Sequence, residues 1–408
     1  MAYTATTIDS ITNEVLRLAH EKAAFIGTIN RQFDDSFGKA SGKIGDTLRI
    51  REPARYTRRQ NSRVMNVQDS VETSTSLVVA TQDGVDMSFN SREMKLDLQD
   101  FSKQHLDSAV ASMISGIESD VLQGCTQQVY NVAGTPGTAL ADLAAVGTAR
   151  ARLNQGLAPK DGNRAVQLDS VAMGGMVNGL KGLFQDATQI KEQYREGMIG
   201  RTGMADFYEN ERVNIHTNGS DVTCTLAAAA AVTDGGTNVT FASLASTTTA
   251  GTVFTIPGVF QCHPETKAAM AHLQQFTVVT GSTTTQEVSP PTFLTGGRQN
   301  ICAADGSQLA VAYFNDTGLV PAFVGAASTT YAQGLMYHKD AFTFATAELP
   351  KLGGAHSCVT KTFDGLSVRV WQDGDIRNDE LLTRIDMLYG YKAIRPAWAC
   401  RLIGSASA

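Results

Sequence analysis

Apolar positions along the chain recur first at helical spacing. Ile8, Ile11, Val15, Leu16, Leu18, Ala19 and Phe25 predict a helical arm over 8–34. Gly38, Gly42 and Gly45 stop it, and Thr47-Leu48-Arg49-Ile50-Arg51 then alternates with the two-residue period of a strand. Alternation returns at 75–80 and 84–89. Between these segments, residues 49–63 carry Arg49, Arg51, Arg55, Arg58, Arg59 and Arg63 against Glu52. Two extended limbs with a polar, basic tip predict a protruding hairpin. Such an arm cannot bury both faces on its own domain and needs a partner surface.

The clearest helix is predicted over 92–124. Leu98, Phe101, His105, Ala109, Met113, Ile117 and Val121 fall three or four residues apart, and Leu106, Val110 and Ile114 widen the stripe. Ser91 suits the N-cap, and Glu93 suits the positive end of the helix dipole. Met94 stands where a capping box would need Glu or Gln. A helix of that length extends about 50 Å, the length of a strut.

A shorter helix is expected over 139–154, ending at Gly156, and a strand over 165–168. Residues 170–212 read as glycine-interrupted helix. After Ile215 the composition shifts to Thr, Ala and Gly, with strands expected at 222–226, 239–241, 253–256, 276–279 and 309–314. This region reads as a small all-β domain, or, at its Ala/Thr/Gly-rich start, as a flexible linker. Mixed α/β character is expected again from 326 to the end, which makes the β-region an insertion into a host domain.

Composition narrows the class. The 408 residues are 42% hydrophobic and 18% charged with a net charge of −6, which excludes disorder and supports two or three domains. No apolar run approaches the ~20 residues needed to span a bilayer. The opening MAYTATTIDSITNEVLRLAH lacks a basic start and an apolar core, so the chain is expected to begin in the cytosol of its producer. Cys125, Cys224, Cys262, Cys302, Cys358 and Cys400 are widely spread and form no CxxC pair, which points to reduced thiols rather than a disulfide framework or a zinc site. The acidic balance argues against wholesale nucleic-acid binding.

Candidate chemistry is sparse. The segment GKASGKI at 38–44 imitates a phosphate loop, but it is one residue short between its glycines and has Ile44 where Ser or Thr should bind magnesium. Gly197, Gly200 and Gly203 lack a preceding strand and the dinucleotide-binding spacing. The chain contains no HExxH and no GxSxG, and its seven histidines (His20, His105, His216, His263, His272, His338 and His356) are scattered. Asp373, Asp375, Asp379 and Glu380 lack a calcium-loop register and read as an acidic turn. Asn218, Asn238 and Asn315 sit in glycosylation-type triplets that carry no weight without an export signal. No catalytic, metal or cofactor site is therefore expected. The arginines admit three readings: a solvated loop, a clamp on acidic residues of a neighbouring copy, or a nucleic-acid contact.

Several segments resemble the major capsid (coat) proteins of tailed bacteriophages, whose fold is shared with the capsid floor of herpesviruses. SREMKLDLQDFSKQHLDSAVASMISGIESDV is similar to the spine helix, and ARLNQGLAPKDGNRAVQLD to the entry into the axial domain. EQYREGMIGRTGMADFYENERV resembles the stretch before an insertion, and GLMYHKDAFTFATAELP the return from it. RIDMLYGYKAIRPAWACRLIG resembles the closing strands, with Tyr389-Gly390 and Arg395-Pro396 at matching places. The nearest type is the short-tailed-phage coat protein with an inserted β-barrel domain. Each motif is weak alone, and their order carries the likeness.

The resemblance implies an α+β fold with an N-terminal arm at 1–36, an E-loop at 37–83 and a peripheral domain with spine helix at 84–130. It further implies a first axial part at 131–215, the inserted β-barrel domain at 216–325 and a return through axial and peripheral domains at 326–408. The implied function is that of a subunit self-assembling into an icosahedral shell around double-stranded DNA, held without sequence-specific binding. Implied partners are copies of the chain in hexamers and pentamers, a scaffolding protein and a portal, with no membrane and no cofactor. The implied place is the virion, assembled in the host cytoplasm. The family offers no catalytic residues, and Lys39, Lys43 and Asn61 match no cross-linking pattern. On this view Arg49, Arg51, Arg55, Arg58, Arg59 and Arg63 contact the adjacent subunit. A secreted or surface-layer-type binding protein with a β-domain is the alternative, and a hydrolase with dispersed residues is a third.

Overall fold

The computed structural model describes residues 8–31, 47–59, 62–65, 67–69, 72–90, 106–141, 143–180, 200–220, 222–228, 231–242, 244, 246–316, 318–350, 357–375, 377–378 and 380–406. The phosphate-loop imitation at 38–44, Asn61, residues 91–105 (Ser91, Glu93, Met94, Leu98, Phe101 and His105 among them), Gly197, His356 and Asp379 lie outside these residues. The chain forms two compact units, one of 1–50, 74–122 and 342–392, the other of 51–73, 123–341 and 393–408. The class is α+β, as the resemblance implies.

The first unit is built on a five-stranded sheet. Phe342–Ala347, Glu380–Ala393, Leu366–Asp375 and Ser357–Phe363 lie in that order, and Thr81–Asn90 also pairs with Glu380–Ala393. The predicted arm helix breaks at residues 23–24 into Ile8–Lys22 and Phe25–Thr28. Ile11, Val15, Leu18 and Ala19 recur at three- and four-residue steps and are buried, so this helix joins the unit's core. Phe25 packs on Phe342 with ring centroids 5.9 Å apart. Its N–H is bonded by the carboxylate of Glu118, which is fully buried on the long helix.

The helix predicted over 92–124 is found as Asp107–Gln127, about 32 Å at 1.5 Å per residue, with residues 91–105 outside the description. Val110, Met113, Ile114, Ile117 and Val121 form its buried stripe, as their spacing predicts, and Cys125 extends it by one turn. On the opposing strand, Tyr389 donates to Asp120 at 2.8 Å.

The second unit holds two sheets. One is mixed, in the order Val132–Ala133, Ala399–Ala406, Thr330–His338, Arg164–Leu168, Ala205–Glu209 and Arg201–Thr202, with Asn214–Thr217 also on Thr330–His338. All five residues of Arg164–Leu168 are buried, as befits a strand covered on both faces. Helices Leu143–Gln155 and Ser170–Leu180 pack Val146, Ala149, Leu153, Met173 and Met176 against Val166, Leu168, Met336 and Leu402.

The other sheet orders Ile301–Cys302, Val253–Cys262, Ala269–Thr280, Thr285–Thr292 and Gly236–Thr240, with Ala322–Phe323 also on Val253–Cys262. It has its own core, in which Phe254 stacks on Phe276 at 5.7 Å and meets Phe241 edge-on at 5.4 Å.

A buried cation ties the two sheets of this unit. Arg401 is fully buried and donates to Gly251 O at 2.5 Å, Thr277 Oγ1 at 2.7 Å, Gln127 O at 2.9 Å and Gln333 Oε1 at 3.3 Å. Burial pulls its guanidinium down to about 9. Gly251 has φ +92, and a Cβ there would stand 3.0 Å from Gln127 and 3.2 Å from His216, so only glycine fits.

Some expectations fail. Residues 201–209 are a strand pair, not helix: Thr202 pairs with Ala205 across Gly203 (φ +63) and Met204 (φ +70). Two left-handed residues in a two-residue loop make the hairpin turn that matches strand twist. Of the strand expected at 222–226, only an isolated bridge from Leu226 to Phe241 forms. The apolar run 309–314 forms the 3-10 turn Val311–Asn315, which places Phe314 in the core. Such short apolar runs do not distinguish strand from turn. Beyond residue 341 the described residues hold strands and the 3-10 turn Pro396–Trp398 but no α-helix.

Candidate assembly surface

Strands Thr47–Glu52 and Thr73–Val78 pair as a two-stranded sheet, and the described residues between them form the finger. The two limbs are joined by side chains as well. Gln68 accepts from Thr57 N at 2.8 Å and donates to Thr57 O at 2.8 Å, as a strand partner would. At the finger's base Glu52 accepts from Arg298 at 3.0 Å and from Thr73 Oγ1 at 3.1 Å. Gly297 admits the chain here, because a Cβ at that position would stand 2.3 Å from Arg55 O.

All six candidate arginines are exposed. Arg49 lies on the first limb. Arg51 meets Glu72 at 3.4 Å with both side chains largely in water, a pair worth at most about 1 kcal/mol. Arg55, Arg58 and Arg59 follow, and Arg59 donates back to Val64 O. Arg63 stands at the tip. Six arginines face the carboxylates Glu52, Asp69 and Glu72 across 49–72, which leaves the finger positive.

The sequence reading missed that the tip is also greasy. Val64, Met65 and Val67 are each 77% exposed, and Tyr56 is 56% exposed. The signal was Val64, Met65 and Val67 clustered beside Arg63, three apolar residues outside any predicted strand. Clustered exposed apolar side chains mark an interaction site more often than a solvated loop does.

The first unit has a contrasting surface. On its sheet, Asp86, Arg384 and Trp371 stand in one row and Ser88, Leu382 and Asp373 in the next. Together with Met87 and Thr383 they line a groove of about 580 Å³. Leu382 is half exposed, and the indole N–H of Trp371 has no hydrogen-bond partner among the described residues. Arg384 clamps Asp86 through two bonds of 2.7 and 3.0 Å, which holds the Asp86 carboxyl below its usual range. Asp373 lies at the rim. Val368, Val370 and Gln372 are buried while Trp371 is half-buried on the other face, and this strand, which carries Asp373 and Asp375, was read from the sequence only as an acidic turn.

All six cysteines are free thiols, five of them buried. Among the described residues no cluster of three or more His, Cys, Asp and Glu could hold a metal. Among them, too, no helix is long and apolar enough to cross a membrane.

Residues 65–404 match the family described as P22 coat protein, gene protein 5. A comparison with curated protein sequences gives no match. Among solved structures the chain is similar to one from Mycobacterium phage Che8, at 11% identity over 94% of this chain and 92% of that one, with a TM-score of 0.49. It is also similar to the capsid of Ralstonia phage GP4, at 9% identity over 93% and 88%, TM-score 0.44. The capsid structure of the cyanophage P-SCSP1u aligns at 10% identity over 89% and 84%, TM-score 0.40.

Proposed function

The chain belongs to the P22 coat protein family and is a major capsid protein of a phage shell, and from that premise we propose that its exposed finger is the contact by which one copy holds the next. The family is structural, and the surface-layer-type alternative finds no support in the match. The observation that carries the reading is the tip itself. Val64, Met65 and Val67 stand in water amid Arg58, Arg59 and Arg63, a patch that is costly on a solitary molecule. In a shell the apolar residues are buried on a neighbour while the guanidinium forks meet carboxylates.

The complementary surface in this reading is the groove of Trp371 and Leu382 on the next copy, with Asp373 and Asp86 at its edge. Copies arranged as hexamers and pentamers repeat the contact many times, so modest individual contacts sum to a stable shell. The division into arm, E-loop, peripheral, axial and inserted β-domains is the organisation we assign to the chain. Assembly in the host cytoplasm with a scaffolding protein and portal, around double-stranded DNA, completes the proposal. A net charge of −6 suits an inner wall that confines DNA rather than gripping it.

The test is assembly of Arg58→Ala/Arg59→Ala, followed by electron microscopy and sedimentation. Expected is a lower yield of closed particles from subunits whose circular dichroism is unchanged. Particle yield and stability equal to the unsubstituted chain would overturn the finger's role.

A further inference from the structure

Two of the six thiols stand together. Strand Val253–Cys262 carries the two-residue strand Ile301–Cys302 along its side, antiparallel, with Phe260 opposite Cys302 and Gln261 opposite Ile301. The Cys262 N–H then bonds Asn300 O at 2.9 Å. Residues two apart share a face of a sheet, so Cys262 and Cys302 are diagonal neighbours on one face. Both are buried, and both thiols reach the same stretch of backbone, Cys302 Sγ donating to Phe260 O at 3.9 Å and Cys262 Sγ to His263 O at 3.9 Å. Ile301–Cys302 is an end strand of its sheet and only two residues long, so few ladder bonds hold it.

We infer that Cys262 and Cys302 form an oxidation-set staple, a dithiol that closes to a disulfide and fastens the end strand to its neighbour. A low-molecular-weight disulfide serves as oxidant. The Cys262 thiolate attacks one of its sulfurs, a mixed disulfide forms, and one small thiolate leaves. The Cys302 thiolate then attacks the Cys262 sulfur, the mixed bond breaks, and the second small thiolate leaves. Two electrons pass to the small disulfide, and the two cysteine protons end on the released thiols.

Burial raises the Cys262 thiol and the Lys267 ammonium opposes that rise, an opposing charge that makes Cys262 the first attacker. Burial, then Cys262 and Asp305, push the Cys302 thiol up to about 12. Because both thiols are buried, attack follows a brief lifting of the short end strand. The closed bond encloses strands Ala269–Thr280 and Thr285–Thr292, a long loop of the kind whose closure restricts the unfolded chain most. The staple is open in a reducing compartment and shut in an oxidising one.

The test incubates the folded full-length chain in graded ratios of oxidised to reduced glutathione, then alkylates, maps peptides and measures mass. Expected is a species lighter by two hydrogens, with one linked peptide pair containing Cys262 and Cys302 and the other four cysteines alkylated. Its thermal midpoint rises by roughly 5–10 °C and falls back on reduction. Cys302→Ala gives no lighter species, and Cys262→Ala/Cys302→Ala loses the oxidant-dependent rise. Six alkylated cysteines at every ratio would overturn the inference, as would a bond between any other two cysteines or a glutathione adduct that never closes. Should a variant fail to fold, the peptide map of the unsubstituted chain decides alone. None of these readouts depends on particle assembly.

Discussion

Replacing Arg401 by Met tests whether a buried cation without a carboxylate partner stabilises this molecule. Met keeps the length of the stem and removes four donated bonds, to Gly251 O, Thr277 Oγ1, Gln127 O and Gln333 Oε1. Gln127 O retains a bond from Thr277 Oγ1 at 2.9 Å, and Gln333 Oε1 retains one from Asn214 at 3.4 Å. Gly251 O and Thr277 lose their arginine partner inside the fold. Charge-assisted bonds and stranded buried acceptors cost about 1–3 kcal/mol each, a gross loss of roughly 6 kcal/mol here. Removing the cation also relieves its desolvation, which offsets several kcal/mol. The expected net destabilisation is about 3 kcal/mol. The assay is urea unfolding of the unassembled subunit, with amide exchange in Ala269–Thr280 as the local probe, since a chain of this size need not unfold in one step. Arg401→Lys, a point charge without the planar fork, should recover about half. An Arg401→Met subunit as stable as the original, or more so, would show that the network is a tolerated burden and refute the reasoning.

Acid should weaken the same junction. Burial first and Arg401 second pull His216 down to about 4, against an ordinary value near 6.5. The unfolded chain therefore binds the proton first, and stability falls as pH drops from 6.5 to 4, by up to about 3 kcal/mol. His216→Gln should flatten that slope in urea midpoints taken between pH 7 and pH 4. Glu118→Ala removes the carboxylate that bonds Phe25 N–H and should cost about 2–3 kcal/mol; protease sensitivity within 8–31 that stays unchanged would count against it. Phe254→Ala opens the aromatic cluster with Phe241 and Phe276 and should destabilise the 224–323 segment by about 3–5 kcal/mol, read from its own amide exchange.

Elements with a repeating period were legible. The helix stripe from Val110 to Val121 writes its burial into residue type at a fixed interval, and the strands at 84–89, 253–256 and 276–279 were legible as short β-prone runs. The hairpin at 201–209 was not legible, because its decisive feature is the left-handed backbone at Gly203 and Met204 and methionine gives no warning of it. The turn at 311–315 shares its apolar composition with a strand. At the finger, charge was visible as an arginine run, while the exposure of Val64, Met65 and Val67 was not. An apolar residue is read as core until the fold shows that nothing covers it. Arg401 was equally hidden, since its role comes from carbonyls at 127 and 251, far away in sequence.

The contrast between Arg401 and the finger arginines bears on how such a subunit works. Arg401 spends its donors on fixed carbonyls inside the body, where low dielectric makes each bond strong and the geometry unique. Arg51 and its neighbours sit in water, where the pair with Glu72 is weak and easily exchanged. A shell subunit needs both conditions at once. Its body must keep one shape through every copy, or the repeat does not close. On the proposed reading the finger is the adhesive part, which must let go of its own residues at little cost and take up those of a neighbour. On that reading the weak pairing of Arg51 with Glu72 serves the function. It follows that strengthening it, for example by a disulfide between the limbs beside Thr57 and Gln68, should stabilise the free subunit while lowering the yield of particles.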